Sequence, residues 1–218
     1  MPTNAFIFLT HSQLVKIFKS GYCYSLTDKK LFCQGIDEYI VPSTIKDLQF
    51  RVPGMGVKSQ NAKALTDIKD EFSTYIKKEF WDYFNSTTSF NTFHDKACND
   101  MIEIFSKRYN NVTYGKAQKA VNMIFKYFYC FDNSDLPQYE KKFSDCHMPL
   151  DSKILEWYRK DIDNSQNTPW SYLNEDEYDE IQERIKKHIG AKYNGEYTVL
   201  QSEFVIWDDA INNKVGTL

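Results

Sequence analysis

Tyr114-Gly115-Lys116-Ala117-Gln118-Lys119 and His147-Met148-Pro149-Leu150-Asp151-Ser152 are the two ends of the stretch whose reading decides the fold. The first is a glycine turn that opens a helix. The second is a proline turn that opens the next one. After Gly115, apolar residues recur at Ala117, Ala120, Val121, Ile124, Phe128 and Phe131. That recurrence is the mark of a helix with one buried face. The same rotation, about 100° per residue, gathers Lys116, Lys119, Asn122, Met123 and Lys126 on the opposite face. Two readings of that face stand side by side. It is a solvated lysine face, or it looks into a cleft. An amine in a cleft loses hydration, gives up its proton more readily and becomes a nucleophile toward carbonyl-like carbon.

Residues 132–146 read as a loop, with Asn133-Ser134-Asp135 and Pro137 as turn formers. Pro149 suits the first turn of the helix that follows, and Ile154, Leu155 and Tyr158 share one of its faces. Asp151 falls in that first turn, where free N–H groups and the helix dipole favour a carboxylate. A capping aspartate and a chemically active one both satisfy this pattern.

The combination resembles the helix-hairpin-helix DNA glycosylases. It has a glycine-containing turn, a lysine at the head of a helix, and a later Pro-hydrophobic-Asp segment opening another helix. The separation from Lys119 to Asp151, 32 residues, is long for that superfamily and looks like its archaeal 8-oxoguanine DNA glycosylase branch. The resemblance covers residues 113–155 by motif. Gly115-Lys116-Ala117-Gln118-Lys119 departs from the Pro-Gly-hydrophobic-Gly hairpin of the better-known members. What the resemblance implies is a mainly α fold with two small helical lobes flanking a cleft. It also implies that Lys119 attacks C1′ of a nucleotide carrying a damaged or modified purine, and that Asp151 assists.

A second hairpin candidate lies upstream. Val52-Pro53-Gly54-Met55-Gly56-Val57-Lys58 reads as a helix-hairpin-helix turn, with Ala62 and Leu65 following. Such a turn offers glycine N–H groups to a DNA phosphate, so Gly54 and Gly56 are candidate phosphate contacts. An ordinary Pro-Gly loop before a helix fits as well. Lys58 is a weaker nucleophile candidate, because no Pro-hydrophobic-Asp segment follows it at a suitable distance.

The chain of 218 residues is long enough to bury a substantial core. The expectation is one helical domain over 1–218, with lobes at 1–112 and 113–218. Fifteen tyrosines and sixteen phenylalanines make that core aromatic-heavy, and only eight glycines and six prolines break it, which favours helices over short strands. No run of about 18 apolar residues is present, and no signal segment starts the chain. A soluble cytoplasmic monomer is therefore expected, nucleoid-associated if it binds DNA. The five cysteines, Cys23, Cys33, Cys98, Cys130 and Cys146, include no Cys-x-x-Cys pair, so reduced thiols and no metal centre are expected. No phosphate loop or dinucleotide fingerprint occurs.

A net charge of −3 counts against nucleic-acid binding. The charge is uneven, however. Lys107, Arg108, Lys116, Lys119 and Lys126 fall in a stretch without acids, whereas Glu175, Asp176, Glu177, Asp179, Glu180 and Glu183 fall together. A local basic face is the expectation.

Helical periodicity and caps divide the rest. Ala5–Leu9 is a short apolar run. Thr10 caps a helix over 11–19. Residues 22–39 hold a hairpin around Thr27-Asp28-Lys29-Lys30 or turns only. Ser43 caps a short helix to Phe50, and Ser59 opens a long one to Phe84. Thr92 caps a helix carrying Cys98, Met101, Ile102 and Phe105. Glu175 to Ile189 is an acidic helix stopped by Gly190, and residues 198–211 form the last one.

A glycosylase holds an extruded base between flat side chains, and Trp81, Trp157, Trp170 and Trp207 supply the stock. The resemblance implies Schiff-base chemistry at Lys119, strand incision by β-elimination, and no cofactor. Lys116, Gly115, Gln118 and His147 would contact the DNA, and the partner would be duplex DNA carrying a lesion or a modified base such as one from phage DNA. The alternative is a non-catalytic helical module that binds nucleic acid or protein, including a phage-defence protein on a degenerate glycosylase fold. In that case Lys119 is solvated and Asp151 is a cap.

Overall fold

A computed structural model describes residues 24–49, 51–55, 62–131 and 137–215. Among the described residues the architecture is helical. Helix α1 (Lys29–Gly35) runs through a five-residue π-helical segment (Ile36–Ile40) into α2 (Val41–Gln49). There follow α3 (Ala62–Phe84), α4 (Phe90–Ser106), α5 (Tyr114–Tyr129), α6 (Pro137–Ser144), α7 (Ser152–Asp161), a 3-10 turn (Trp170–Tyr172), α8 (Glu175–Lys192) and α9 (Val199–Val215). The expectations for residues 5–19 and for Ser59, Gly56 and Lys58 lie outside the described residues.

Helix α5 is the hub. It packs against α2, α4, α8 and the 3-10 turn. Its apolar face buries Ala117, Ala120, Val121, Ile124, Phe125 and Phe128, and the polar face is mostly buried too, at Lys116, Gln118, Asn122 and Lys126. The solvated-lysine reading therefore fails along most of this helix. Neighbours cover most of it, and Lys116, Gln118, Asn122 and Lys126 each have a polar partner. Around it, Phe32 stacks on Phe128 at 4.9 Å, and Phe80 meets Phe93 edge-on at 4.9 Å. Such pairs add directional attraction to the burial of their rings. The buried apolar residues form one continuous cluster from Leu26 to Ile206.

Several local expectations are corrected by capping chemistry. Residues 27–30 form no hairpin, because Asp28 accepts hydrogen bonds from the Lys30 and Leu31 amides and starts α1 there. Ser43 is then inside a continuous helix and caps nothing. The π-helical segment has a cause in Pro42. Proline has no N–H and crowds the carbonyl four residues earlier, and a wider turn relieves both; the Val41 amide reaches back to the Ile36 carbonyl. Ser89, not Thr92, caps α4, its hydroxyl accepting from the Thr92 amide. Residues 137–144, expected as loop, form α6. Helix α8 runs through Gly190 to Lys192, and the chain turns instead at Asn194 and Gly195, both with positive φ. Thr198 and Gln201 cap α9 reciprocally, hydroxyl to amide at 3.2 Å and side-chain amide oxygen to N–H at 2.9 Å.

Candidate functional site

The two ends of the 114–155 stretch meet. Lys119 Nζ, in the second turn of α5, lies 3.4 Å from Asp151 Oδ2, at the head of α7. Their side chains are 19% and 12% exposed, so the pair is recessed and still within reach of solvent. Asp151 is the N-cap of α7 as well. Its Oδ1 accepts from the Lys153 amide at 2.8 Å and the Ile154 amide at 3.1 Å. The capping reading holds on Oδ1, and the second oxygen is left beside the amine. Capping locks the carboxylate's rotation and leaves Oδ2 toward the amine.

Trp170 forms one wall. Its ring centroid lies 5.0 Å from Lys119 Nζ and 5.6 Å from the Arg51 guanidinium carbon. A cation over an indole face is drawn to the ring's negative quadrupole. Gly115 makes this approach possible. The 3-10 turn is docked on the start of α5 through the Gly115 amide, which donates to the Leu173 carbonyl at 3.0 Å, and the Thr113 hydroxyl, which donates to the Ser171 carbonyl at 2.6 Å. A β-carbon on Gly115 would lie 2.1 Å from the Trp170 carbonyl oxygen. Gly115 is thus a packing glycine in this structure.

The other sequence candidates are dispersed. Lys116 is buried, donates to the Asn111 carbonyl at 2.5 Å, and has its pKa lowered by burial. Gln118 is fully buried with its amide engaged by Gly115 and Leu150. His147 Nδ1 pairs with the Tyr178 hydroxyl at 2.8 Å, and burial, with smaller contributions from His94 and Lys186, holds its pKa well below the usual value. Gly54 sits exposed in the turn after α2, with φ +84°. The expected basic face is largely dissolved. Lys107 and Arg108 pair with Glu71, Lys116 points inward, and Lys126 Nζ lies 2.5 Å from Glu203 Oε2.

Glu203 is the group that reading the sequence missed. It is 1% exposed, and burial raises its pKa against the lowering effect of Lys126; Asp151 raises it further and Lys119 lowers it. A carboxylate within the field of both site residues lies inside α9. Its signal was available, since Glu203 is a single acid within Leu200 to Trp207, a run otherwise rich in apolar side chains. Among the other tryptophans, Trp207 lies 6.0 Å from Lys126 Nζ, whereas Trp81 packs on Phe32 and Trp157 on His188. Among the described residues no group of three or more His, Cys, Asp or Glu is placed to hold a metal ion, and no helix is long and apolar enough to cross a membrane.

No family model matches this chain, and no curated protein or solved structure matches it either.

Proposed function

We propose that this chain is a DNA glycosylase with lyase activity, acting on a damaged or modified purine of the 8-oxoguanine type in duplex DNA. The observation that carries the reading is the 3.4 Å meeting of Lys119 and Asp151, an amine and a carboxylate brought together from two separate helices beside an indole ring. The Lys119 amine attacks C1′ as the bond to the base breaks, and the departing base takes up a proton. Asp151 Oδ2 accepts the proton that the amine releases. Opening of the sugar ring gives a Schiff base between Lys119 and C1′. Loss of a proton from C2′ then expels the 3′ phosphate. Asp151 also stabilises the positive charge that develops on the sugar.

The competing reading is a non-catalytic helical binding module in which the ion pair serves only to dock α7 on α5. Borohydride trapping separates the two. Incubation with duplexes carrying 8-oxoguanine and other purine lesions is expected to give a covalent protein–DNA adduct, and Lys119→Gln to abolish it while retaining DNA binding. No adduct with any lesion, or one that survives Lys119→Gln, rejects the enzyme.

A further inference from the structure

Residues 147–150 lead directly into Asp151 and, among the described residues, have no strand beside them, yet they are paired as a strand would be. Gln182, on α8, receives the Met148 N–H on Oε1 at 3.3 Å and donates from Nε2 to the Met148 carbonyl at 2.7 Å. Gln118, on α5, does the same for Leu150, at 3.3 Å and 3.0 Å. Each side-chain amide thus reproduces the two-bond exchange between facing residues of an antiparallel ladder. Pro149, between them, has no N–H to satisfy on the other edge. One amide orientation alone meets both backbone groups in each case, because the oxygen cannot donate and the nitrogen cannot accept. Gln118, Gln182, Met148 and Leu150 are all buried, so water does not substitute.

The two clamps are also joined to one another. Asn122 donates to Gln118 Oε1 at 3.2 Å and to the Tyr178 hydroxyl at 2.9 Å, and Tyr178 precedes Gln182 by one turn of α8. Gln118 is the neighbour of Lys119 in the chain, and Leu150 is the neighbour of Asp151.

We propose that Gln118 and Gln182 are positioning residues that set the separation of Lys119 and Asp151 by pinning residues 148–150 to α5 and α8. Asp151 cannot drift from α5 without breaking amide pairs in a dry interior, where an unpaired backbone group is costly. Gln182 touches neither site residue and acts only through Met148. The catalytic consequence rests on the glycosylase reading, and the geometric one does not.

Gln182→Glu is the decisive variant. A protonated carboxyl accepts at one oxygen and donates at the other, as the amide does, whereas the ionised form can only accept. Normalised to wild type, its single-turnover excision rate is expected to fall by about 10- to 100-fold at alkaline pH, as for a displacement of about 1 Å. It should recover as pH falls and the carboxyl protonates, with DNA affinity unchanged throughout. Gln182→Met is expected to lose rate at every pH. A Gln182→Glu profile parallel to wild type, or full rate in Gln182→Met, overturns the proposal. The same clamp is read without DNA from the ¹³C-dimethyl-lysine NMR resonance of Lys119, assigned with Lys119→Arg. Gln182→Glu at alkaline pH should move that resonance toward its position in Asp151→Asn, and an unmoved resonance also overturns the proposal. Absence of any adduct in wild type would sink the glycosylase reading and leave this resonance test standing.

Discussion

Asp151 serves two partners with two oxygens: Oδ1 caps α7 through the Lys153 and Ile154 amides, and Oδ2 stands 3.4 Å from Lys119 Nζ. A capping bond fixes the side-chain rotamer, so the second oxygen is aimed once the segment leading into Asp151 is held in place. The arrangement makes stability and chemistry separable by substitution.

Asp151→Asn is the substitution that separates them. Asparagine is as good a cap as aspartate, whereas alanine loses about 1 kcal/mol. Asp151→Asn should therefore unfold at a urea midpoint close to wild type, and Asp151→Ala at a lower one. Both should lose turnover in the trapping assay while retaining DNA binding. An active Asp151→Asn would remove the carboxylate from the mechanism.

The Lys126–Glu203 pair should behave as a buried ion pair. Removing one partner leaves the other charge uncompensated, at a cost of roughly 3–5 kcal/mol. Glu203→Gln alone is expected to destabilise by that order in equilibrium urea unfolding. Combining it with Lys126→Met should recover much of the loss, because no buried charge is then left unpaired. Additive losses would show that the two groups do not depend on one another.

His147 gives a pH dependence with a defined sign. Burial is the main cause that lowers its folded-state pKa below the ordinary 6.5, with His94 and Lys186 adding repulsion. The unfolded chain therefore binds a proton more readily than the folded one. The stability it contributes is present above the unfolded pKa and is lost as pH falls from about 6.5 toward the lowered folded value, by up to about 1.4 kcal/mol per pH unit. Urea midpoints of wild type and His147→Gln across that window should converge on the acidic side. Parallel curves would mean that His147 titrates alike in both states.

Two glycines in helices should respond differently to alanine. At Gly115 the added carbon would meet the Trp170 carbonyl at 2.1 Å, which is docked backbone; at Gly35 it would meet the Phe131 ring at 2.5 Å, a side chain. Alanine ordinarily stabilises a helix interior over glycine by about 0.5–1 kcal/mol. Gly115→Ala should nevertheless destabilise, by about 1–3 kcal/mol as overpacking does, and should cost more than Gly35→Ala. Quenching of Trp170 fluorescence by its surroundings should change in Gly115→Ala, since the 3-10 turn must move.

Most helices were legible because each carries a face of recurring apolar residues, as in α5 and α8. Their starts were less legible. Asp28, Ser89 and Thr92 are all competent caps by residue type, and packing selects which one closes a turn. Helix α6 is hidden in the sequence because Pro137, a turn former, also suits a helix's first turn. The linear run of five cations looked like a surface, and three-dimensional packing sent Lys116 and Lys126 inward instead.

By itself the sequence determined the helical class, the buried stripe of α5, and the two residue types at the ends of the 114–155 stretch. Those follow from periodicity and from local turn chemistry, which act over a few residues. Only the tertiary structure decided that Lys119 and Asp151 meet, that the Trp170 ring lies against Lys119, and that Glu203 lies within their field. These depend on how α7, α9 and the 3-10 turn dock on α5, through contacts such as Gln118 with Leu150 and Gly115 with Leu173. Such contacts join residues far apart in the chain, and no local pattern of side chains encodes them.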